Sequence, residues 1–141
     1  MYFHEEKMDL LSVPQGYMLA HCISGDFALG AGIAKQIDNA FNMREMLRRT
    51  YGEELVTKPG CFVAMNVYNL VTKTRFWHKP TLDSLHEALT DMRMYVVDDG
   101  VKKIAMPRIG CGLDKLDWED VSQIIQEVFR DTDVEILVCY L

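Results

Sequence analysis

The stretch Lys103–Phe129, KIAMPRIGCGLDKLDWEDVSQIIQEVF, runs a short apolar strand (Lys103–Met106) through a glycine-rich loop directly into an amphipathic helix. Asp117 is a good N-cap for that helix, and Trp118, Val121, Ile124, Ile125, Val128 and Phe129 recur at helical spacing on one face. Beyond it, Val134–Tyr140 (VEILVCY) reads as a final buried strand, apolar except at Glu135. Two strands joined through a helix need a crossover connection. They therefore run parallel, in a sheet that helices must cover.

The same grammar repeats earlier in the chain. Tyr17–Cys22 (YMLAHC) is an apolar strand that ends at a second glycine-rich segment, and Met1–His4 is an edge strand. Ile33, Ile37, Phe41 and Met46/Leu47 fall near a period of 3.6, which predicts one helix over Ala31–Thr50 stopped by Gly52. Cys61–Val71 is long for one strand and splits into two, hinged near Asn66–Asn69. Pro80 holds Lys79 extended, and Thr81 caps a helix whose apolar positions are Leu82, Leu85, Leu89, Met92 and Val96, ended by Gly100. The order β-β-α-β-β-α-β-α-β specifies an α/β class, a mostly parallel sheet with helices on both faces. Such sheets bind ligands beyond the carboxyl ends of their strands, where both glycine-rich segments fall.

Length and composition set the bounds. The 141 residues suit a single domain spanning 1–141, and 49% hydrophobic with 26% charged residues is globular composition. Fifteen basic against 21 acidic residues give a net charge of −6, which disfavours a protein that coats nucleic acid through many phosphate contacts. No apolar run approaches the roughly 20 residues of a membrane span, and MYFHEEKMDLL is not a secretion signal. The expectation is an intracellular, cytoplasmic protein with no membrane role. Cys22, Cys61, Cys111 and Cys139 form no CxxC, and His4, His21, His78 and His86 lack ligand spacing. No metal and no cofactor are expected, and the cysteines read as buried reduced thiols.

The first loop, Ser24–Lys35 (SGDFALGAGIAK), places Gly30 and Gly32 at a helix start, where free N–H groups and the helix dipole favour an anion. Lys35 occupies the third glycine position of a dinucleotide fingerprint, and no GK[ST] ending is present, which excludes a nucleoside-triphosphate P-loop. In the second loop, Pro107–Lys115 (PRIGCGLDK), glycines on either side of Cys111 can form a nest of amides around a phosphate. Two such loops in one small domain suggest a pyrophosphate between them. Two unrelated tight turns would give the same pattern.

The segments HCISGDFALGAGIA, LVTKTRFWHKPT and MPRIGCGLDKLDWEDVSQIIQEVF together resemble the macrodomain superfamily. Within it they look like the terminal ADP-ribose protein glycohydrolase branch, which is related to the macrodomain of a chromatin remodeller. The likeness runs nearly end to end. It implies a single macrodomain with a mixed, mostly parallel six-stranded sheet sandwiched between helices, binding ADP-ribose at the strand ends.

By that resemblance Ser24, Gly30, Ala31, Gly32 and Ile33 surround the distal ribose and pyrophosphate, and Ile109, Gly110, Cys111, Gly112 and Leu113 form the phosphate and distal-ribose loop. Asp9 and Leu10 match the pair that contacts adenine, with Met8 where the family usually has glycine. The asparagine-rich first loop of other branches is absent. The catalytic lysine and aspartate of the branch match Lys73 and Asp114, the lysine as nucleophile at the anomeric carbon and the aspartate as acid/base. The implied activity removes mono-ADP-ribose from ester-linked acidic side chains, with O-acetyl-ADP-ribose as a further small substrate. The implied partners are ADP-ribose and mono-ADP-ribosylated proteins, met by a monomer. A non-catalytic ADP-ribose reader and a hydrolase of ADP-ribosylated nucleic acid are the alternatives. Phe76 and Trp77 read as core or staple residues, and Arg75 as a surface arginine within reach of a phosphate.

Overall fold

Six strands, β1 (Tyr2–Lys7), β2 (Met18–Ser24), β3 (Gly60–Ala64), β4 (Val67–Lys73), β5 (Lys103–Met106) and β6 (Glu135–Tyr140), form one sheet in the order β1-β6-β5-β2-β4-β3. The computed structural model describes residues 1–141. All neighbouring pairs are parallel except β3 with β4, which form an antiparallel hairpin at one edge. The helices are α1 (Gly32–Phe41), α2 (Met43–Tyr51), α3 (Leu82–Asp98) and α4 (Trp118–Val128). No helix is long and apolar enough to cross a membrane.

Alternation along the strands divides the core into two layers. Leu19 and Ile23 of β2, with Val67 and Val71 of β4, pack against Ile37, Met43 and Leu47 from α1 and α2. Ala20, Tyr68 and Leu70 face the other way, against Leu85, Leu89, Met92, Val121 and Ile125 from α3 and α4. Covered on both sides, β4 is buried from Val67 through Thr72, the signature of an interior strand in a helix-clad sheet.

The structure corrects the sequence reading in two places. Ala31–Thr50 is not one helix: Asn42 adopts the left-handed conformation (φ 53°, ψ 44°) and separates α1 from α2. Asp38 organises the break, its carbonyl accepting from Asn42 N at 2.8 Å and its carboxylate from Arg44 N at 2.8 Å. Asparagine tolerates this conformation, and the bend keeps Ile37, Met43 and Leu47 all fully buried on one sheet face. The hinge in Cys61–Val71 lies at Met65 (φ 53°) and Asn66, and Asn69 is a buried residue within β4. Caps follow expectation. Thr81 and Ser84 exchange side chain-to-backbone hydrogen bonds at 3.0 and 2.9 Å to start α3, and the Asp117 carboxylate accepts from Glu119 N at 2.9 Å to start α4.

One polar pair lies inside the core. His21 of β2 and Asn69 of β4 face each other across the ladder, with His21 Nε2 2.5 Å from Asn69 Oδ1. Asn69 Nδ2 donates to Phe62 O at 3.0 Å, so its oxygen is the acceptor and His21 is neutral with its proton on Nε2. Its Nδ1 has no partner. Burial pushes the imidazole down to about 4, although the bond to Asn69 pulls the other way.

Candidate active site

The two glycine-rich loops leave the carboxyl ends of adjacent strands, β2 and β5, which pair through Met18 with Ile104 and Leu19 with Ala105. Lys73 ends β4 on the other side of β2, opposite Ser24 across a bulge at Ile23/Ser24. Asp9 follows the carboxyl end of β1. Along one edge of the sheet therefore runs a row: Asp9, the second loop, the first loop, Lys73. From β1 to β4 it crosses four strand spacings, roughly 19 Å.

The first loop is braced from three sides. Ser24 Oγ donates to Asp26 Oδ1 at 2.5 Å, Ala28 N donates to the same oxygen at 3.1 Å, and Phe76 N donates to Oδ2 at 2.9 Å. Partial burial raises the Asp26 carboxyl, but these three donors outweigh it and hold the group below its ordinary value. Gly25 donates to Lys73 O at 2.9 Å and accepts from Val56 N at 3.1 Å. A Cβ at position 25 would lie 1.9 Å from Val56 O, so only glycine permits this approach. Phe27 (φ 51°) and Leu29 (φ 43°) hold left-handed backbone while their side chains are 3% and 4% exposed. Core burial thus maintains a strained loop at the site.

The start of α1 differs from the starts of α3 and α4. Ala31 provides no side-chain cap, which leaves the first-turn N–H groups available beside exposed Gly30 and Gly32. Gly32 is left-handed (φ 57°), and a Cβ there would sit 3.6 Å from Leu113 Cδ1, so the two loops meet at this point. In the second loop Leu116 N donates to Gly110 O at 2.8 Å and Cys111 N to Arg108 O at 3.2 Å, while Lys79 Nζ donates to Leu113 O at 3.0 Å.

This loop delivers Asp114 to Lys73. Nζ lies 2.6 Å from Asp114 Oδ1, and the two side chains are 14% and 15% exposed, an ion pair at the water boundary. Thiol chemistry is not available beside it. Burial, and secondarily Asp114, pushes Cys22 up to about 12, and burial with Asp117 pushes Cys111 up to about 11, so both stay protonated near neutral pH.

Most of the predicted site residues converge. Ser24, Gly30–Ile33, Ile109–Leu113, Lys73 and Asp114 gather at the β2–β4–β5 end. Asp9 stands apart, and one of its oxygens already accepts from Leu11 N at 3.0 Å to cap the 3-10 turn Leu10–Ser12. Leu10 is a core side chain, 2% exposed, and Ile109 likewise, so neither offers a side-chain contact to a ligand. Phe76 and Trp77 are not core or staple residues: each is 61% exposed. They follow β4 in an outward turn that Asp26 and His78 hold by accepting from Phe76 N and Arg75 N. Arg75 stacks over Trp77, its guanidinium carbon 5.6 Å from the ring centre. Asp26 and Lys79 are positioning residues that the sequence reading missed. For Asp26 the signal was present, a carboxylate two residues after Ser24 and two before Ala28 in a turn.

Residues 18–125 match the family model described as Macro domain. The chain is 44% identical over 135 residues to the ADP-ribose glycohydrolase OARD1 of Homo sapiens, covering 94% of this chain and 87% of that protein. A DNA ADP-ribosyl glycohydrolase of Thermus aquaticus is 32% identical over 64 residues, 45% of this chain and 18% of that protein. Among solved structures, the macrodomain of Mycobacterium tuberculosis DarG superposes with a TM-score of 0.84, covering 99% of this chain and 97% of that one at 23% identity, a likeness of fold.

Proposed function

The chain belongs to the macro domain family, in its ADP-ribose glycohydrolase-like branch, and from that premise we propose that it is an ADP-ribosyl hydrolase, one that releases mono-ADP-ribose from carboxylate side chains of proteins. In this reading residues 1–141 act as one macrodomain. The observation that carries it is the Lys73–Asp114 contact of 2.6 Å at the end of the row that begins at Asp9. Adenine, diphosphate and distal ribose follow one another in ADP-ribose. Asp9, the two amide-rich loops and Lys73 follow one another in the same order along the sheet edge. Laid along it, the ligand brings its anomeric carbon, C1″, to Lys73.

The chemistry follows from that placement. Asp114 accepts a proton from Nζ across the short contact, and the neutral amine attacks C1″. The Nζ–C1″ bond forms as the bond from C1″ to the ester oxygen breaks, and the acceptor leaves with the electron pair and takes the proton held by Asp114, which returns the aspartate to its basic form. Opening of the ribose ring gives a protonated imine. Water adds to C1″ with Asp114 as base, the amine departs, and free ADP-ribose and the lysine are regenerated. One ester and one water give ADP-ribose and one carboxylic acid. An acetyl ester on a hydroxyl of the same distal ribose is cleaved at its carbonyl carbon rather than at C1″: water activated by Asp114 adds there, the ribose oxygen leaves, and acetate and ADP-ribose result, so O-acetyl-ADP-ribose is the small substrate of this reading.

Incubation with a protein carrying glutamate-linked ADP-ribose tests this reading. Release by the native chain, loss of release in Lys73→Ala and in Asp114→Ala, and a borohydride-trapped adduct at Lys73 are the expected results. Tight ADP-ribose binding with no release from any linkage makes the chain a reader instead. Release from ADP-ribosylated DNA alone transfers the chemistry to the substrate class in the name of the Thermus aquaticus relative.

A further inference from the structure

Lys73 forms part of a second feature, which extends from the glycine loops toward β3 and the start of α3. A cavity of about 440 Å³ opens beyond the end of β4, between the start of β3 and the start of α3, and no hydrophobic residue lines it. Its charged and titratable lining residues are Lys58, Lys73, His78 and Lys79, set among Thr57, Thr72, Thr74 and the capping pair Thr81 and Ser84, and the hydroxyls of Thr57 and Thr74 make no hydrogen bond inside the chain. No carboxylate is among them. In a chain of net charge −6 this is a local inversion of sign.

We infer that this cavity is the acceptor subsite, and that it selects acidic peptides by holding a second negative side chain near the ADP-ribosylated one. The inference rests on the proposed hydrolase reading and adds its specificity. Lys73 faces both compartments, so ADP-ribose approaches from the glycine loops and the acceptor leaves on the cavity side. In an extended acceptor, side chains two residues apart share a face at about 7 Å. With the modified carboxylate at Lys73, the residue two positions away is carried into the cavity, where Lys58 and the Thr57 and Thr74 hydroxyls meet it. The volume suits one or two side chains rather than a run of nucleotides.

Two measurements test this. In the first, two peptides with the same glutamate-linked ADP-ribose are compared, one with aspartate and one with asparagine two residues away. The expected kcat/KM is about tenfold higher for the acidic peptide, carried by KM and reduced by salt, and Lys58→Ala cuts that preference to about twofold or less. Equal kcat/KM on both peptides overturns the inference. In the second, the unmodified acidic peptide is titrated into ADP-ribose-saturated protein, and amide shifts at Thr57, Lys58 and Ser84 are followed by NMR. Shifts there with no turnover of any modified peptide support the subsite and overturn the hydrolase reading. No shifts there overturn the subsite whatever the turnover. An oligonucleotide that moves the same amides at lower concentration than the peptide overturns the peptide assignment.

Discussion

Strands β2 and β4 carry two polar contacts of nearly equal length, with opposite surroundings. His21–Asn69 spans 2.5 Å between fully buried residues, and Lys73–Asp114 spans 2.6 Å where both side chains keep some exposure to water. Depth along the same ladder separates them. Within the sheet a charge would lack solvation on every side, so the pair is neutral, and the histidine is held far below its ordinary value. At the strand's end both side chains keep contact with water, which solvates the ions. The pair inside the sheet is confined to a structural part, whereas the pair at the rim has the access to water that the proposed reaction needs.

The largest predicted effect concerns the rim pair. Lys73→Ala lowers kcat by about 10³-fold or more, close to 4 kcal/mol of transition-state stabilisation, while the melting temperature moves by only a few degrees. If the variant unfolds at ambient temperature, the rim pair is structural as well and the contrast collapses.

The buried pair should dominate the pH dependence of stability instead. The folded-state value of His21 is depressed, so unfolding takes up a proton as pH falls below about 6.5. Stability present above that point is lost down to about 4, on the order of 3 kcal/mol in all. The depressed carboxyls of Asp26 and Glu135 act in the same direction but only below the ordinary carboxylate range. Chemical denaturation of the native chain and of His21→Gln across pH 4–7 separates the two windows. An identical slope in both proteins between pH 6.5 and 4 would refute the role given to His21.

Asn69→Ala leaves His21 with no partner on either nitrogen and costs about 2 kcal/mol, with kcat unchanged. A loss of turnover at full stability would mean that the two pairs communicate. The smallest effect is that of salt on ADP-ribose affinity. In the proposed placement the donors nearest the diphosphate are neutral amides, so raising salt from 50 to 500 mM changes the dissociation constant by less than about threefold. A steep weakening in a calorimetric titration would move the diphosphate to the lysines of the cavity.

The sequence made the architecture legible because the strands and three of the helical segments carry clean periodicity and strong caps, as Thr81 and Asp117 illustrate. It hid the division of Ala31–Thr50, since Asn42 interrupts the backbone without interrupting the apolar spacing of Ile37, Met43 and Leu47. The site separated along similar lines. Glycine loops and the Lys73/Asp114 pair are visible as motifs, whereas their 2.6 Å contact depends on β2, β4 and β5 being neighbours, which no local pattern encodes. Lys79 acts across a long sequence separation, as does the bond that Asp26 accepts from Phe76 N, and neither partner is marked by a local pattern. Phe76 and Trp77 misled because large aromatics usually seek the core.

The sheet order has a consequence for the life of the chain on the ribosome. Strand β1 has one neighbour, β6, and Tyr2 is in register with Glu135. Synthesis at roughly 5–20 residues per second therefore leaves β1 without its sheet partner for several seconds or more after it is made. The nascent protein must keep an open edge on β5 until β6 arrives, and only then does β1 add outside it. A chain stalled before residue 135 exposes two unpaired edges for other chains to join, so the speed of translation through the last third bears on how much of the protein is recovered folded.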